Sequence, residues 1–194
     1  MGGVRTPENA LDVRIEPWSE EGLELLRRIN TPEMKRHVGG PETEEQVLAR
    51  HRRYLGALDG RMFRVLLPGG EAVGTVGYWT RVWRGDAVYE SGWNVLPSHQ
   101  GRGVAAAAVA AVLHRARDDG RHRHLHAFPS VDNPASNALC RRAGFVLLGE
   151  CDFPYPPGSG RTMRSNDWRL DLAARTDAPG GGPEGSAAGR ADGC

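Results

Sequence analysis

The chain has 194 residues, of which 39% are hydrophobic, and its 25 basic and 24 acidic residues leave a formal net charge of +1. That length and apolar content fit one globular domain with a single core. A net charge this close to zero gives no reason to expect nucleic acid, an anionic membrane surface or an acidic partner.

Cysteine usage and hydropathy indicate the cellular compartment in which the protein is expected. Three cysteines, Cys140, Cys151 and Cys194, stand at irregular spacing, which does not suggest a disulfide framework but fits reduced thiols. The longest apolar run, residues 104–113, is far short of the ~20 residues that span a bilayer. No secretion signal is visible at the N-terminus. We therefore predict a cytoplasmic protein without a membrane partner, as a monomer or homodimer.

The composition changes at both ends of the chain. Residues 1–10 form a loose leader in this interpretation. Residues 175–194 are rich in Gly, Ala and Pro with almost no large apolar side chain, and such a segment cannot bury enough surface to order itself. We expect a disordered tail there and one folded domain over residues 11–174.

Hydrophobic periodicity and turn residues predict the elements within that domain. In chain order these are a strand (12–17), helices (19–29, 43–58), a strand (61–68), a hairpin (69–83 with 86–96), a helix from residue 104, a strand (123–129), a helix (133–143) and strands (145–151, 166–172). A long Pro/Gly loop is predicted at 152–165. This alternation is typical of an α/β domain with a mixed sheet.

Local signals support several of these boundaries. Ser19 is expected to cap the first helix, and Thr43 with Gln46 forms a capping-box pattern at the second. Arg84, Gly85 and Asp86 are the predicted hairpin turn. Six apolar side chains share one stripe of the helix that starts at residue 104: Val104, Ala108, Val109, Val112, Leu113 and Ala116.

The segment QGRGVA, residues 100–105, follows a predicted strand and opens that alanine-rich helix. Glycines at 101 and 103 allow unusual backbone dihedrals and close approach of a ligand. The first N–H groups of a helix have no intrahelical partner and lie at its electropositive end, so they suit a phosphate or pyrophosphate. Arg102 adds a charged donor. The segment alone is also compatible with a tight turn that binds nothing.

Two motifs at the right spacing remove part of that ambiguity. Residues 100–105 match the pattern Gln/Arg-x-x-Gly-x-Gly/Ala, and VDNPASNALCRRAGFVLLGE follows about thirty residues later. Together they resemble the acyl-CoA-binding signatures of the GNAT acetyltransferases. The resemblance covers residues 11–172 and is strongest to ribosomal-protein N-terminal acetyltransferases and small-molecule acetyltransferases. It implies a mostly antiparallel central sheet flanked by helices and splayed at the acyl-CoA site.

The resemblance also implies acetyl-CoA as acetyl donor and which residues hold it. The pyrophosphate would lie on the backbone of 100–105, the pantetheine arm in the splay between strands 86–96 and 123–129. Asn133 would hydrogen-bond that arm, and the backbone near Val95 would polarise the thioester carbonyl. The implied cofactor-binding residues are Asn94, Val95, Leu96, Gln100, Gly101, Arg102, Gly103, Val104, Ala105 and Asn133.

Amine acetylation needs a neutral amine and a proton for the leaving thiolate. Glu90 is the candidate base, directly or through water, because this branch commonly has a glutamate there; the alternative is a structural carboxylate. Cys140 stands where many members have a tyrosine acid, and a thiol can donate a proton, although helical cysteines are mostly packing residues. Ser136 is an alternative donor, and solvent or the amine itself is a third.

Other signals compete with this interpretation. His122, His124 and His126 alternate and on a strand would share a face that can bind zinc. The same pattern fits a strand with Leu125 and Ala127 in the core and its histidines outside, and we predict no metal. The family's acceptor groove implies a pocket for a small polar amine from residues 30–43 and 152–165, which include Glu33, His37 and Asp152; ordinary connecting loops are the alternative.

We therefore expect an N-acetyltransferase whose acceptor is a primary amine, preferentially that of a small molecule. A protein N-terminus is the alternative acceptor on the same fold. A non-catalytic acyl-CoA-binding domain is the alternative of another class, favoured by Cys140 in place of tyrosine and disfavoured by Glu90 and the intact glycine segment.

Overall fold

The computed structural model describes residues 12–57, 60–155 and 160–173. They form a seven-stranded sheet with helices on both faces. The predicted leader, residues 1–10, and the predicted tail, residues 175–194, lie outside the described residues.

Strands and helices follow one another in a largely alternating order. They are β1 (Arg14–Pro17), α1 (Gly22–Ile29), α2 (Pro32–Lys35), α3 (Glu44–Leu55), β2 (Gly60–Leu66), β3 (Ala72–Trp83), β4 (Asp86–Val95), a 3₁₀ turn (Pro97–His99), α4 (Val104–Asp119), β5 (His124–Ala127), α5 (Pro134–Arg142), β6 (Val146–Pro154) and β7 (Thr162–Asp171).

The sheet has the strand order β1-β2-β3-β4-β5-β7-β6. Strands β4 and β5 are parallel, and each other neighbouring pair is antiparallel. Because α4 connects β4 to β5, the parallel pair has the helical crossover that parallel strands require. The predicted mixed, mostly antiparallel sheet is confirmed.

A tight turn fixes the register of the central hairpin. Arg84 and Gly85 have φ values of 50° and 92°, as in the two-residue turns that match the twist of paired strands. The predicted hairpin is confirmed, although Asp86 already belongs to β4. The register places Trp79 directly opposite Glu90.

Helix α4 covers one face of the sheet. All six residues of its predicted apolar stripe are buried, from 0% exposure at Val112 to 6% at Leu113. They pack in the largest core cluster with Tyr89 and Val95 of β4. Gly120, with φ +64°, ends the helix as a left-handed C-cap.

The opposite face carries two smaller clusters. One joins α1 and α3 to the sheet through Trp18, Leu26, Val47 and Met62, with Trp79 against it. The other consists of Phe128, Cys151 and Phe153, with Trp83, Tyr155 and Met163 against it. The space between these clusters lies over the middle of the sheet.

Two predicted helix starts have different outcomes. Thr43 and Gln46 form the expected reciprocal capping box at α3. Ser19 does not cap α1, because the helix begins at Gly22 with Glu21 as N-cap and no side-chain cap. The first helical residue is a glycine because the Trp18 indole packs against it: a Cβ on Gly22 would lie 2.4 Å from Cζ2 of that ring. The short helix α2, capped by the Thr31 side chain, was not predicted.

The predicted loop at 152–165 is wrong over half of its length. β6 and β7 pair as far as Pro154 with Thr162, so the connection is confined to residues 155–161. Pro154 is tolerated at the end of an edge strand, where its missing N–H breaks no ladder bond. The hairpin holds Tyr155 and Arg161 together through a Tyr155 N–H to Arg161 carbonyl bond of 3.0 Å.

Within the described residues, no helix has the length and apolar character needed to span a membrane.

Candidate active site

The predicted anion cradle opens α4 with glycines in the left-handed region. Gly101 has φ +70° and Gly103, the N-cap, φ +83°. No side chain caps this end, and the first helical bond runs from Ala107 N–H to the Gly103 carbonyl. The N–H groups of Val104 and Ala105 therefore precede the hydrogen-bonded helix and are available to an anion. Arg102 is exposed beside them.

The side chain of Gln100 ties this cradle to the end of β4. Its Nε2 donates to the Val95 carbonyl at 2.8 Å. The cradle is therefore held against the strand that would carry the thioester by the side chain of Gln100, whose backbone N–H donates to the Pro97 carbonyl at 3.2 Å.

The strands β4 and β5 separate directly beyond Glu90. They pair only at Tyr89 with Leu125 and Glu90 with His126 in the described residues, whereas β4 continues to Val95. This gap is the splay expected for a pantetheine arm.

The remaining backbone groups of β4 are divided between its two sides. The Leu96 N–H donates to the Val73 carbonyl at 2.8 Å, and the Leu96 carbonyl accepts from His99. Because bonding direction alternates along a strand, the Val95 N–H points away from β3 toward the splay. The Asn94 side chain donates to Thr75 at 3.3 Å. Of the three positions predicted to bind the donor, Val95 is therefore the best placed, because Leu96 and Asn94 are hydrogen-bonded to β3.

Asn133 caps α5 and retains two donors. Its Oδ1 accepts the Ser136 N–H at 3.1 Å, as expected of an N-cap. The amide N–H₂ of Asn133 has no protein partner among the described residues, so it remains available to a ligand. The half-buried side chain lies in the loop that follows β5.

Asn137, which sequence reasoning missed, fixes this loop. Its amide donates to the carbonyls of Ser130 and Asn133 at 2.9 and 2.8 Å. Its Oδ1 accepts from Trp168 Nε1 at 2.8 Å and Asn166 Nδ2 at 2.7 Å. One buried amide thereby connects α5, the loop and β7. Its position one helical turn after Asn133 could have drawn attention to it. Its partners Asn166 and Trp168 could not be predicted, because they depend on where β7 lies in the sheet.

Glu90 lies on the sheet face opposite α4, between the two smaller clusters. Its side chain is 12% exposed and forms an ion pair with Arg81, Nη1 to Oε2 2.7 Å. Burial raises the pKa of Glu90, while the charge and hydrogen bond of Arg81 and a hydrogen bond from Trp79 oppose that shift. A carboxylate with a raised pKa in a partly closed site is a credible general base.

The two candidate acids have different environments. Cys140 is 0% exposed within the α4 core cluster, and burial raises its pKa to about 12. A thiol in this setting packs the core and is a poor proton donor at neutral pH. Ser136 is half-buried in the first turn of α5, next to Asn133, and its hydroxyl has no protein partner among the described residues.

The three alternating histidines do not share one outer surface. Leu125 and Ala127 lie in the core as predicted, but His126 is 4% exposed and its Nδ1 lies 2.7 Å from Asp167 Oδ1. The prediction that His126 faces outward is wrong, because Phe128 stacks on its ring and covers this face. His122 instead contacts Thr80, 3.0 Å away. Among the described residues, no three or more His, Cys, Asp or Glu side chains come together as a metal site.

A cleft of ≈ 190 Å³ lies between the segment after α2 and the β6–β7 hairpin. Its lining includes Arg36 and His37 from the first segment, Tyr155 and Arg161 from the hairpin, and Ser130 and Asp132 from the loop that leads to Asn133. The two segments predicted for the acceptor groove thus meet here. Of the three polar residues named for it, His37 lines the cleft; Glu33 and Asp152 are exposed elsewhere.

Comparisons with known proteins agree with this arrangement. A family model described as an acetyltransferase (GNAT) domain matches residues 12–146. The ribosomal-protein-serine acetyltransferase of Escherichia coli (strain K12) is 26% identical over 132 residues, covering 68% of each chain.

Solved structures share the fold at low identity. Aminoglycoside acetyltransferase AAC(6')-Ib, solved with paromomycin and acetyl-CoA, superposes with a TM-score of 0.72 at 17% identity, over 87% of this chain and 99% of its own. Spermidine N-acetyltransferase from Vibrio cholerae, solved with CoA and spermine, gives 0.67 at 16% identity, over 82% and 95%.

Proposed function

The chain belongs to the GNAT acetyltransferase family, and on that premise we propose that it moves an acetyl group from acetyl-CoA to a primary amine of a small molecule. Its enzyme class, acetyl-CoA-dependent N-acetyltransferase, follows from the membership; the acceptor and the residue roles are the proposal. The observation that carries it is the open N-terminus of α4 beside the β4–β5 splay, with the buried Glu90 at the point where the strands part.

We assign acetyl-CoA, the acetyl donor, to the anion cradle at the start of α4 and to the splay between β4 and β5. The backbone N–H groups at residues 101–105 bind the pyrophosphate, helped by Arg102 and the helix dipole. The Val95 N–H binds the acyl or pantetheine carbonyl, and the free amide of Asn133 binds the arm from the other side. The donor supplies the activated acetyl group as a thioester.

The chemical step is direct attack of the acceptor amine on the thioester carbonyl. Glu90 takes the proton that the amine nitrogen gives up, through water if the distance requires it. The carbon–sulfur bond breaks and the thiolate leaves. The Val95 N–H stabilises the charge that develops on the carbonyl oxygen.

We assign protonation of the thiolate to solvent, either directly or relayed by the Ser136 hydroxyl, which takes a proton from water as it gives its own to the thiolate. Ser136 lies beside Asn133, which is assigned to the pantetheine arm. The core position of Cys140 and its pKa of about 12 speak against a role for that thiol.

A small acceptor is favoured by the size of the cleft. Its ≈ 190 Å³ is below the 300–1,000 Å³ common for pockets that hold drug-sized ligands. A protein N-terminus is the second candidate, supported by the 26% identity with the ribosomal-protein-serine acetyltransferase. For either acceptor, a cytoplasmic protein that acts as a monomer or homodimer remains the prediction.

The experiment is an acceptor screen with acetyl-CoA followed by mass spectrometry. The panel contains amino acids, polyamines, aminoglycosides and short peptides. Acetylated small amines support the proposal, and acetylation confined to peptide N-termini favours the second candidate. If acetyl-CoA binds and no amine is acetylated, the chain is a non-catalytic acyl-CoA-binding domain.

A further inference from the structure

The charges around the cleft restrict the acceptor, given the proposed function. Two arginines, Arg36 and Arg161, line the cleft, with His37 next to Arg36. Asp132 is the one carboxylate among its described lining residues.

Arg36 is oriented by its neighbour. Its Nε donates to His37 Nε2 at 3.0 Å, which fixes the plane of the guanidinium. Its two terminal nitrogens have no protein partner among the described residues. A planar guanidinium with two free N–H edges matches a carboxylate in geometry and charge.

Lys35, which precedes Arg36 in the chain, belongs to a cluster of buried charges. Lys35 and Arg50 both approach Glu42 Oε2, at 3.8 and 2.5 Å, with side chains only 4% and 9% exposed. Lys35, the single lysine of the chain, has its pKa lowered to about 8 by burial and by Arg50, so it is mostly protonated at neutral pH. One carboxylate thus faces two buried cations.

Tyr155 links this charge cluster to the cleft and to the candidate base. Its side chain lines the cleft, and its pKa responds to the charges of Arg50, Glu42 and Glu90. These charges therefore lie within electrostatic range of the cleft, where Arg50 lowers the pKa of Tyr155 and the carboxylates of Glu42 and Glu90 raise it. Fields of this kind are stronger where the surroundings exclude water.

We propose that the acceptor carries a carboxylate close to its amine, as a free amino acid does, and that Arg36 binds this carboxylate in the cleft. A polyamine or an aminoglycoside, whose amines are all cationic, would be repelled by Arg36. The proposal thus separates this chain from the polyamine and aminoglycoside acetyltransferases that share its fold.

The test compares amino acids with their C-terminal amides as acceptors. An amide keeps the amine and side chain and removes only the negative charge. We expect kcat/KM to be at least about tenfold higher for the acids, the change that about 1.4 kcal/mol produces. Equal rates for acids and amides, or a preference for polycations, would overturn the proposal. Peptides with and without an acidic second residue distinguish a free amino acid from a chain terminus.

Substitution of single arginines shows which residue causes the preference for acids over amides. Arg36→Gln should abolish the preference for acids, and Arg161→Gln should reduce it. Arg52→Gln, which removes the same charge from the exposed outer side of α3, should leave it unchanged. A preference that persists in Arg36→Gln would contradict the assignment of Arg36.

A binding measurement separates this inference from the proposed function. N-acetylated amino acids and their amides are titrated into the protein in the presence of CoA. Tighter binding of the acids supports the inference even if no amine is acetylated, whereas equal binding refutes it even if small amines are good acceptors.

Discussion

Arg81 and Glu90 form an ion pair across the β3–β4 hairpin, with Arg81 Nη1 2.7 Å from Glu90 Oε2. The same guanidinium lies 4.3 Å from the centre of the Phe153 ring, so the hairpin β6–β7 holds Arg81 in place. Glu90 is thereby kept between the two smaller clusters, on the sheet face opposite α4. Its basicity reflects burial against the opposing influence of Arg81.

Glu90→Gln should lower kcat/KM by about 10²- to 10⁴-fold, the usual contribution of a general base. The carboxylate acts only when ionised, so wild-type activity should rise with pH through its raised pKa, and this limb should disappear in the variant. pH–rate profiles measure both effects. Glu16→Gln, which removes another arginine-paired strand carboxylate, is the control and should keep wild-type kinetics. Wild-type rates in Glu90→Gln would exclude Glu90 from the mechanism.

Arg81→Gln should move the acidic limb of the pH–rate profile to higher pH. Arg81 lowers the Glu90 pKa against the stronger effect of burial, so its removal leaves the carboxylate harder to ionise. The comparison of kcat/KM profiles for the two proteins checks the direction. A limb that stays in place or moves to lower pH would show that Arg81 does not tune the catalytic group.

Gly101→Ala should weaken CoA binding by about tenfold, which corresponds to about 1.4 kcal/mol. Alanine disfavours φ +70°, so the backbone would relax and move the cradle N–H groups, although the added Cβ meets no protein atom within 4 Å. Calorimetric titration with CoA measures the loss.

Gly120→Ala is its matched control, because Gly120 has φ +64° at the other end of the same helix. Both variants should lose about 1 kcal/mol of unfolding free energy, but only Gly101→Ala should lose affinity. Equal CoA affinity in the two variants would contradict the cradle.

Asn133→Asp and Asn133→Ala separate capping from ligand binding. Aspartate preserves the acceptor that caps α5 but lacks the amide donors, so thermal stability should stay near wild type while KM for acetyl-CoA rises. Asn133→Ala should lose both the helix cap and the amide donors, with a stability cost of about 1 kcal/mol. Unchanged KM in Asn133→Asp would remove Asn133 from the donor site.

Ser136→Ala and Cys140→Ala distinguish the two candidate acids. Cys140→Ala should keep kcat and lose about 1 kcal/mol of stability, as usual for a truncated core side chain. Ser136→Ala should lower kcat with KM for acetyl-CoA little changed. A large loss of kcat in a well-folded Cys140→Ala protein would restore the thiol as acid.

Much of this site can be predicted from local sequence. The α4 stripe, the Arg84–Gly85 turn and the glycine cradle depend on spacing within a few residues, and all lie where local rules place them. The Arg81–Glu90 pair was missed although the two-residue turn fixes the register that brings them together; counting across that turn would have suggested it.

The remaining misses depend on long-range contacts. His126 has the same alternation as an exposed strand residue, and only the distant Asp167 and Phe128 show that its face is covered. The length of the β6–β7 hairpin was hidden because proline and glycine in 154–160 resemble a longer loop. The partners of Asn137 come from β7, which no local pattern places beside α5.

The most direct test of acetyl transfer measures free CoA and acetylated amine in the same reaction. With the best acceptor of the panel, the account predicts that CoA is released in equal amount to acetylated amine, that release without acceptor is far slower, and that Glu90→Gln binds acetyl-CoA but suppresses both products. Tight acetyl-CoA binding with no amine-dependent CoA release would contradict it.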